Sequence, residues 1–375
     1  MEEREMKEFT ALVTSVMSGK NLTRANSREM FCQVLAGEQP DLACGAFLAA
    51  LRMKGETADE IAGCFDAVYE KGTRRVRVSH HEIVENCGTG MDSLKTFNIS
   101  TLAAIVAASI GVSMARHGAR AVTSRCGTVD LCEALGVDVE CSVDLVRQSI
   151  EHCGLGLFNG MSPEVHPGGL GRILAELRIG TTFHIAASLA NPAMPAIGVR
   201  GVGSPEQIEP ILNVMRRIGY RKAILFHGWN EKREAGMDEL STLGPSRLGI
   251  LNEKGGNDFI DIEPEDMGIP RGSYDAIRPM ATRRDEAVEA LRLLAGKGGR
   301  DRMNIVGLNA GVILWAAKKA DSLGQGMEMA REEIASGRPL RKLSLWVAQQ
   351  NRNPLRGMET LSKIAGAAGI PGNLL

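Results

Sequence analysis

The 375-residue chain carries 44 Lys and Arg against 45 Asp and Glu, a formal net charge of −1, with a pI near 6.7. That balance lacks the basic excess of counterion-driven nucleic-acid binding and favours a small-molecule partner. With 44% hydrophobic, 24% charged and 4% aromatic residues, the chain falls among folded globular proteins, outside the disordered class and without material for base-stacking platforms.

The length allows two ordinary domains, or one large α/β domain with an added lobe. The start, Met1-Glu2-Glu3-Arg4, is acidic, without the basic n-region and apolar h-region of a secretory signal. No later run of about 18 apolar residues suggests a membrane span, so a cytoplasmic location is expected. Eight cysteines stand at irregular spacings with no Cys-x-x-Cys pair, which predicts reduced, mostly buried thiols and neither a zinc site nor a disulfide framework.

Phe9, Leu12, Val13, Val16 and Met17 recur at helical spacing before Gly19 and predict a first amphipathic helix. Further helices are expected over 24–36 before Gly37, over 42–53 before Gly55, and from Thr57, whose Glu60 completes a capping box. Residues 1–75 thus predict a small helical domain. A basic, strand-like segment follows at 74–78.

Beyond it, short apolar runs ending in glycine alternate with Ala-rich helical stretches, the pattern of repeated βαβ units. Strands are expected near 83–86, 113–115, 157–158, 196–198, 223–226 and 247–251, with helices such as 99–110 and 205–218 between them. The fold class is therefore α/β: a largely parallel sheet flanked by helices, with ligands expected at the carboxyl ends of its strands. Helical patterns return at 310–317, 327–335 and 343–349, and 351–375 holds one more helix candidate. The large domain is placed at 76–345 and a C-terminal extension without assigned role at 346–375.

Three places along this chain carry candidate chemistry. The first is Asn86-Cys87-Gly88-Thr89-Gly90-Met91-Asp92, running through Lys95-Thr96-Phe97-Asn98-Ile99-Ser100-Thr101 into an Ala-rich helix. Glycines admit a ligand close to the backbone, and free N–H groups at the helix start favour an anion, which suits a phosphate cradle; helix capping by Asn98 or Ser100 is the plainer alternative. The second is Arg116-His117-Gly118-Ala119-Arg120 followed by Arg125-Cys126-Gly127-Thr128, where arginine forks suit phosphate. The third is Asp238-Glu239, a carboxylate pair that suits Mg²⁺ completed by waters and substrate phosphates, or that simply decorates a surface. His117, His184 and His227 are read as structural hydrogen-bonding residues.

In this order, the three features resemble the anthranilate phosphoribosyltransferase family, which joins 5-phosphoribosyl-1-pyrophosphate (PRPP) to anthranilate in tryptophan biosynthesis. The resemblance spans about 6–345 and includes Leu51-Arg52-Met53-Lys54-Gly55-Glu56-Thr57, the Gly88 and Thr96 motifs, His117-Gly118, Leu189-x-Asn191-Pro192, Asp238-Glu239-Leu240-Ser241 and Leu308-Asn309-Ala310. It implies a nucleoside phosphorylase/phosphoribosyltransferase-like fold, with helices from about 165–190 packing on the helical domain, and a homodimer through that domain. It implies that Gly88, Thr89, Gly90, Asp92, Thr96, Asn98, Ser100, Thr101, Arg116, Cys126, Gly127 and Thr128 bind PRPP. Asp238 and Glu239 would hold Mg²⁺, while His117, Gly118, Ala119, Arg172 and Leu174 would line the acceptor. By the same resemblance, departing pyrophosphate is stabilised by Mg²⁺ and cations while an amine attacks ribose C1, and positioning carries most of the rate without an assigned acid or base.

Departures gather at the acceptor end. The family's second glycine pair member is Met91, its Lys-His-Gly-Asn is Arg116-His117-Gly118-Ala119, its Ser-Ser-Lys-Ser is Thr123-Ser124-Arg125-Cys126, and its Gly-Pro is Ala187-Ser188. The arginine that pairs with anthranilate's carboxylate falls at Leu174 or Glu176, depending on the alignment, with Arg172 or Arg178 as substitutes from a shifted helix register. The expected acceptor is therefore anthranilate or a related aromatic amine or nitrogen heterocycle. A pyrimidine-nucleoside phosphorylase and a non-enzymatic, nucleic-acid-binding paralogue are the alternatives, the latter opposed by the near-zero net charge.

Overall fold

The computed structural model describes residues 3–79, 82–90, 92–121, 125–168, 170–177, 180–252 and 255–375, with the side chains of 3, 172 and 175–177 excepted. The N-terminal lobe contains α1 (Glu3–Met17), α2 (Arg24–Ala36), α3 (Asp41–Lys54) and α4 (Ala58–Lys71). The Thr57–Glu60 capping box forms, and Glu60 also accepts from Leu22 N at 2.8 Å and Lys54 Nζ at 2.9 Å, tying three parts of the lobe to one buried carboxylate. Phe9, Phe31, Phe47 and Phe183 meet edge-on or tilted in its core.

The expected strand at 74–78 is absent. Its chain is extended but belongs to no ladder: Arg74 N donates to Val165 O and Val76 N to Pro192 O, each on a different segment. This stretch stitches crossings between the lobe and the sheet.

The α/β domain runs β1 (Ile83–Cys87), α5 (Ile99–Ser109), β2 (Ser113–Gly118), α6 (Thr128–Ala134), α7 (Val143–Cys153), β3 (Leu155–Asn159), α8 (Leu170–Leu177), α9 (Thr182–Leu189), β4 (Ile197–Gly201), α10 (Ile208–Arg217), β5 (Lys222–Trp229), β6 (Gly236–Met237), β7 (Ser246–Leu251) and β8 (Asn257–Ile262). It closes with α11 (Tyr274–Ile277), α12 (Arg283–Leu294), α13 (Arg300–Ala316), α14 (Leu323–Ser336), α15 (Arg338–Gln349) and α16 (Pro354–Ala368). Strand order is β3-β2-β1-β4-β5-β7-β8, with β6 on β5. The pairings from β3 through β5 are parallel, and those of β6, β7 and β8 are antiparallel. The expected parallel sheet thus holds for its first five strands and gives way to a meander at one edge.

α8 and α9 lie in the segment that crosses back to the lobe: Leu170, Ile173, Phe183, Ala186 and Leu189 join the lobe's core. On the opposite sheet face, α5 and α13 are sheathed by α14 and α15 in the larger core. Residue 345 falls inside α15, where the neighbouring Trp346 is fully buried, and Leu361, Ala365 and Ala368 of α16 belong to the same core. Gln350 reaches back to β3, accepting from Leu157 N and donating to Leu157 O, both at 2.9 Å. All eight cysteines are free thiols, five of them buried.

Candidate active site

Chemistry collects at the carboxyl ends of β1 and β2, where period-two alternation sorts side chains to the two sheet faces. On the α5 face, Arg116 donates from Nε to Asn86 Oδ1 at 2.9 Å and from Nη1 to Thr101 Oγ1 at 2.7 Å. Asn86 Nδ2 in turn donates to Ser100 O at 2.8 Å. Arg116 is buried, its proton affinity is lowered by that burial, and no carboxylate makes an ion pair with it among the described residues. A buried cation held by neutral groups alone is costly unless an anion completes it.

Two carboxylates stand beside it. Asp238 Oδ2 accepts from Gly90 N at 2.6 Å and from Thr89 Oγ1 at 3.4 Å. Glu239 Oε1 accepts from Ser100 N at 3.1 Å and Ser100 Oγ at 2.6 Å. These donors sit in the glycine turn and the first turn of α5, so both anion-seeking elements hold an anion supplied by the chain itself. Burial, with Asp92 nearby, pushes Asp238 up to about 6; burial, with Asp238 adjacent, pushes Glu239 up to about 8. Gathering carboxylates in a dry site is unfavourable unless a cation joins them. The donor set suits Mg²⁺: each carboxylate keeps an oxygen without a hydrogen-bond donor among the described residues, and this ion needs only one or two protein oxygens beside water and phosphate.

The backbone is shaped around the pair. A Cβ on Gly88 would collide with the Asp238 carboxylate, and one on Gly201 with the Asp238 carbonyl. Asn309 on α13 clamps the segment from behind, accepting from Leu240 N and donating to Leu240 O, each at 2.9 Å. Lys95 Nζ donates to Asp92 Oδ1 at 2.9 Å and Gly90 O at 3.0 Å, closing the loop on itself.

The loop after β2 is joined to the same cluster. Asn98 precedes α5, yet its side chain makes no cap; Nδ2 donates instead to Cys126 O at 3.0 Å. Thr128 Oγ1 lies 3.4 Å from Thr101 Oγ1, and Asp130 Oδ2 accepts from Ala121 N at 2.8 Å and Gly127 N at 3.0 Å. Thr96 spends its hydroxyl on the Phe97 carbonyl. Met91, Thr123, Ser124 and Arg178 lie outside the described residues, as does the side chain of Arg172.

On the opposite face, His117 Nε2 lies 3.2 Å from His166 Nε2, and His166 Nδ1 is 3.0 Å from Gly72 O and 3.1 Å from Thr73 Oγ1. Burial first, then His166 and Arg200, push His117 down to about 3, so the ring is held neutral. Leu174 packs against the lobe's core, and Ala119 is exposed. The sequence reading missed Asp130, Asn309 as a clamp, and a buried Glu85–Arg200 pair at 2.9 Å. Glu85, a charge inside the strand expected at 83–86, was the available signal for that pair, while Arg200 lay two residues beyond the strand expected at 196–198.

Comparison with known proteins agrees with this two-part build. The family model described as "Glycosyl transferase family, helical bundle domain" matches residues 10–72, and "Glycosyl transferase family, a/b domain" matches 80–340. The anthranilate phosphoribosyltransferase of Methanothermobacter thermautotrophicus is 34% identical over 91% of this chain and 97% of its own; that of Moorella thermoacetica is 36% identical over 90% and 97%. The crystal structure of the Thermus thermophilus enzyme matches with a TM-score of 0.80 at 35% identity, covering 90% of this chain and 98% of that one. The Saccharomyces cerevisiae enzyme in complex with PRPP and Mg, at 23% identity and a TM-score of 0.79 over 93% and 98%, bears on the fold alone. Among the described residues, no helix is long and apolar enough to cross a membrane. The chain belongs to the anthranilate phosphoribosyltransferase family.

Proposed function

We propose that this protein transfers the 5-phosphoribosyl group of PRPP to the nitrogen of anthranilate or a related aromatic or heterocyclic amine, releasing pyrophosphate. The observation that carries the reading is Arg116, a buried guanidinium with neutral partners, set beside two backbone turns whose N–H groups bind carboxylates. Three of its five N–H groups have no partner among the described residues, enough for a bidentate grip on phosphate.

PRPP would take over the donors of Gly88-Thr89-Gly90 and of Ser100 and Thr101 at the start of α5, with Asn98, Cys126, Gly127 and Thr128 closing the other side. Asp92 and Thr96 belong to the loop between them. Asp238 and Glu239, released from those donors, would hold Mg²⁺. When bound, Mg²⁺ supplies positive charge against the pyrophosphate leaving group. Arg116 would share that task, and the walls of the site would keep the amine in line with ribose C1 as positive charge grows there. Buried, neutral His117 and Gly118 would border the acceptor. A homodimer through the lobe is part of the proposal; exposed Met17, Leu42 and Met53 on α1 and α3 support it.

The test is loss of anthranilate fluorescence with PRPP and Mg²⁺, with pyrophosphate release followed in the same tube. Fluorescence loss accompanied by pyrophosphate release, both abolished in a Glu239→Ala variant, supports the proposal. Pyrophosphate release without anthranilate loss moves the acceptor to another amine. A protein that neither binds PRPP nor releases pyrophosphate overturns it.

A further inference from the structure

α13 is buried on almost every side, and in such a helix a charged or amide side chain must find partners. Arg302 and Asn309 are both buried on it, seven residues apart. Seven residues make two turns, so the two share one face of the helix, with a rise of about 10.5 Å between them.

Arg302 reaches the loop that leads into α5. Its Nε donates to Ala276 O at 2.8 Å and its Nη2 to Arg278 O at 2.7 Å, on either side of the last residue of α11. The guanidinium also lies over the Phe97 ring, 4.4 Å from its centroid. α11 completes the hold: Ile277 O accepts from Phe97 N at 3.2 Å, and the Tyr274 hydroxyl donates to Lys95 O at 3.0 Å. Residues 95–97 are thereby fixed just before Ser100, whose N–H and hydroxyl hold Glu239. No carboxylate bonds to Arg302 among the described residues, and burial lowers its proton affinity. A cation kept there at that cost is spent on backbone carbonyls and an aromatic face.

Asn309 holds the other half of the site. Its amide exchanges bonds with both backbone groups of Leu240, and Nδ2 also donates to Ile305 O at 2.9 Å. Leu240 follows Glu239 directly, so the carboxylate segment is fastened to α13 as it would be to a neighbouring strand. The contacts close a ring, from Arg302 through Phe97 and Ser100 to Glu239, and from Leu240 through Asn309 back to α13. Within it, the Ser100–Glu239 bond is the link that a bound phosphate replaces, because both anions compete for the same donors. Once that link opens, α13 still spans the gap. The glycine turn has its own tie to the carboxylates through β6, where Leu94 N donates to Gly236 O at 2.8 Å.

We propose that α13 is the spacer of the ligand site, with Arg302 and Asn309 as positioning residues that keep the start of α5 and the Asp238–Glu239 segment at the separation that bound PRPP and Mg²⁺ require. The inference rests on the phosphoribosyl-transfer reading above and assigns the distance between the two halves of that site to one helix.

The test is titration calorimetry of the full-length protein with PRPP in saturating Mg²⁺, with urea unfolding of the same samples. Arg302→Lys keeps the charge without the planar fork or the stacked face. Asn309→Ala removes all three amide bonds, and Asn309→Ser takes its place where the alanine variant does not fold. Each single variant should lower PRPP affinity about tenfold. Side chains about 10 Å apart with no shared partner ordinarily act independently, which predicts a loss of about 100-fold for the double variant. With one helix as spacer, the first substitution already frees the separation, so the double variant should stay within about threefold of the weaker-binding single variant. Leu361→Ala, a core truncation in α16 away from the ring, controls for lost stability and should bind PRPP within about threefold of the unaltered protein. Single variants that bind as the unaltered protein does, a double variant that shows the full product, or a control that loses as much as they do overturns the assignment. Failure of the transfer reading is seen separately: the unaltered protein then takes up no PRPP, and the inference falls with it.

Discussion

Exchange of Arg116 for methionine separates a ligand-binding cation from a structural one, because the two roles predict opposite pairs of signals. On the binding side, two charge-assisted bonds to phosphate at about 1.5–3 kcal/mol each sum to about 3–6 kcal/mol. At about 1.36 kcal/mol per tenfold, PRPP affinity should fall by roughly 150-fold to 25,000-fold. On the stability side, Asn86 Oδ1 loses its donor, costing about 1–3 kcal/mol, whereas Thr101 Oγ1 keeps Thr128 Oγ1 at 3.4 Å. Against that loss stands removal of a buried cation that no carboxylate pairs with directly among the described residues, a gain of similar size and opposite sign. Methionine fills most of the same volume, so the net change should stay within about 2 kcal/mol and the melting temperature within about 5 °C. Titration calorimetry with PRPP and Mg²⁺, together with thermal unfolding, reads both. A variant that melts well below the parent yet binds PRPP within about threefold of it would refute the reasoning.

Other substitutions probe the supports of the site. Gly201→Ala places a methyl group against the Asp238 carbonyl, so the segment carrying both carboxylates must shift; Mg²⁺-dependent PRPP affinity should fall at least about tenfold, read by the same calorimetry. Asp130→Asn weakens the grip on Ala121 N and Gly127 N and the contact of Arg283 at 3.2 Å, and should cost about 2–4 kcal/mol in urea unfolding. His117 is held down at about 3 by burial, His166 and Arg200, so the folded protein keeps it neutral while the unfolded chain protonates below about pH 6.5. Its stabilising contribution is complete above that pH and is lost on acidification toward 3, amounting to about 2 kcal/mol by pH 5. Urea midpoints across pH 5–8 should fall on the acid side, and less steeply in a His117→Gln variant.

Glycine-bounded apolar runs located β1 to β5 and β7 because strands buried on both faces carry continuous hydrophobic signal. The same rule hid β8: Asn257-Asp258-Phe259-Ile260-Asp261-Ile262 lies at the sheet edge, largely exposed, and mixes polar with apolar residues. It also promised a strand at 74–78, where the alternating Val76 and Val78 do pack inward but the backbone bonds go to two separate crossings. The glycine turn and the Asp238-Glu239 pair were legible as separate motifs. That the carboxylates fold back onto the turn's own N–H groups was not, since 148 residues separate Gly90 from Asp238. Arg200 was overlooked because the expected strand stopped at Gly198, two residues short of it; extending the run through β4 would have set a charge inside a fully buried strand.

The parity of β1 divides the polar groups of this region between the two faces of the sheet. Asn86 and Glu85 are adjacent in sequence but serve opposite faces: Asn86 joins Arg116 and Ser100 on the α5 side, and Glu85 joins Arg200 and Asn191 on the α9 side. No side chain belongs to both groups among these contacts, so a substitution in the Glu85–Arg200 group need not disturb a single donor around Arg116. The two groups still meet at Cys87 and Gly88, where the strand ends and the turn begins, and at Gly201, directly after Arg200, where an added Cβ would strike the Asp238 carbonyl. Under the proposed function, an acceptor pocket on one face of the sheet could change its amine while the phosphoribosyl half keeps the geometry that its chemistry demands.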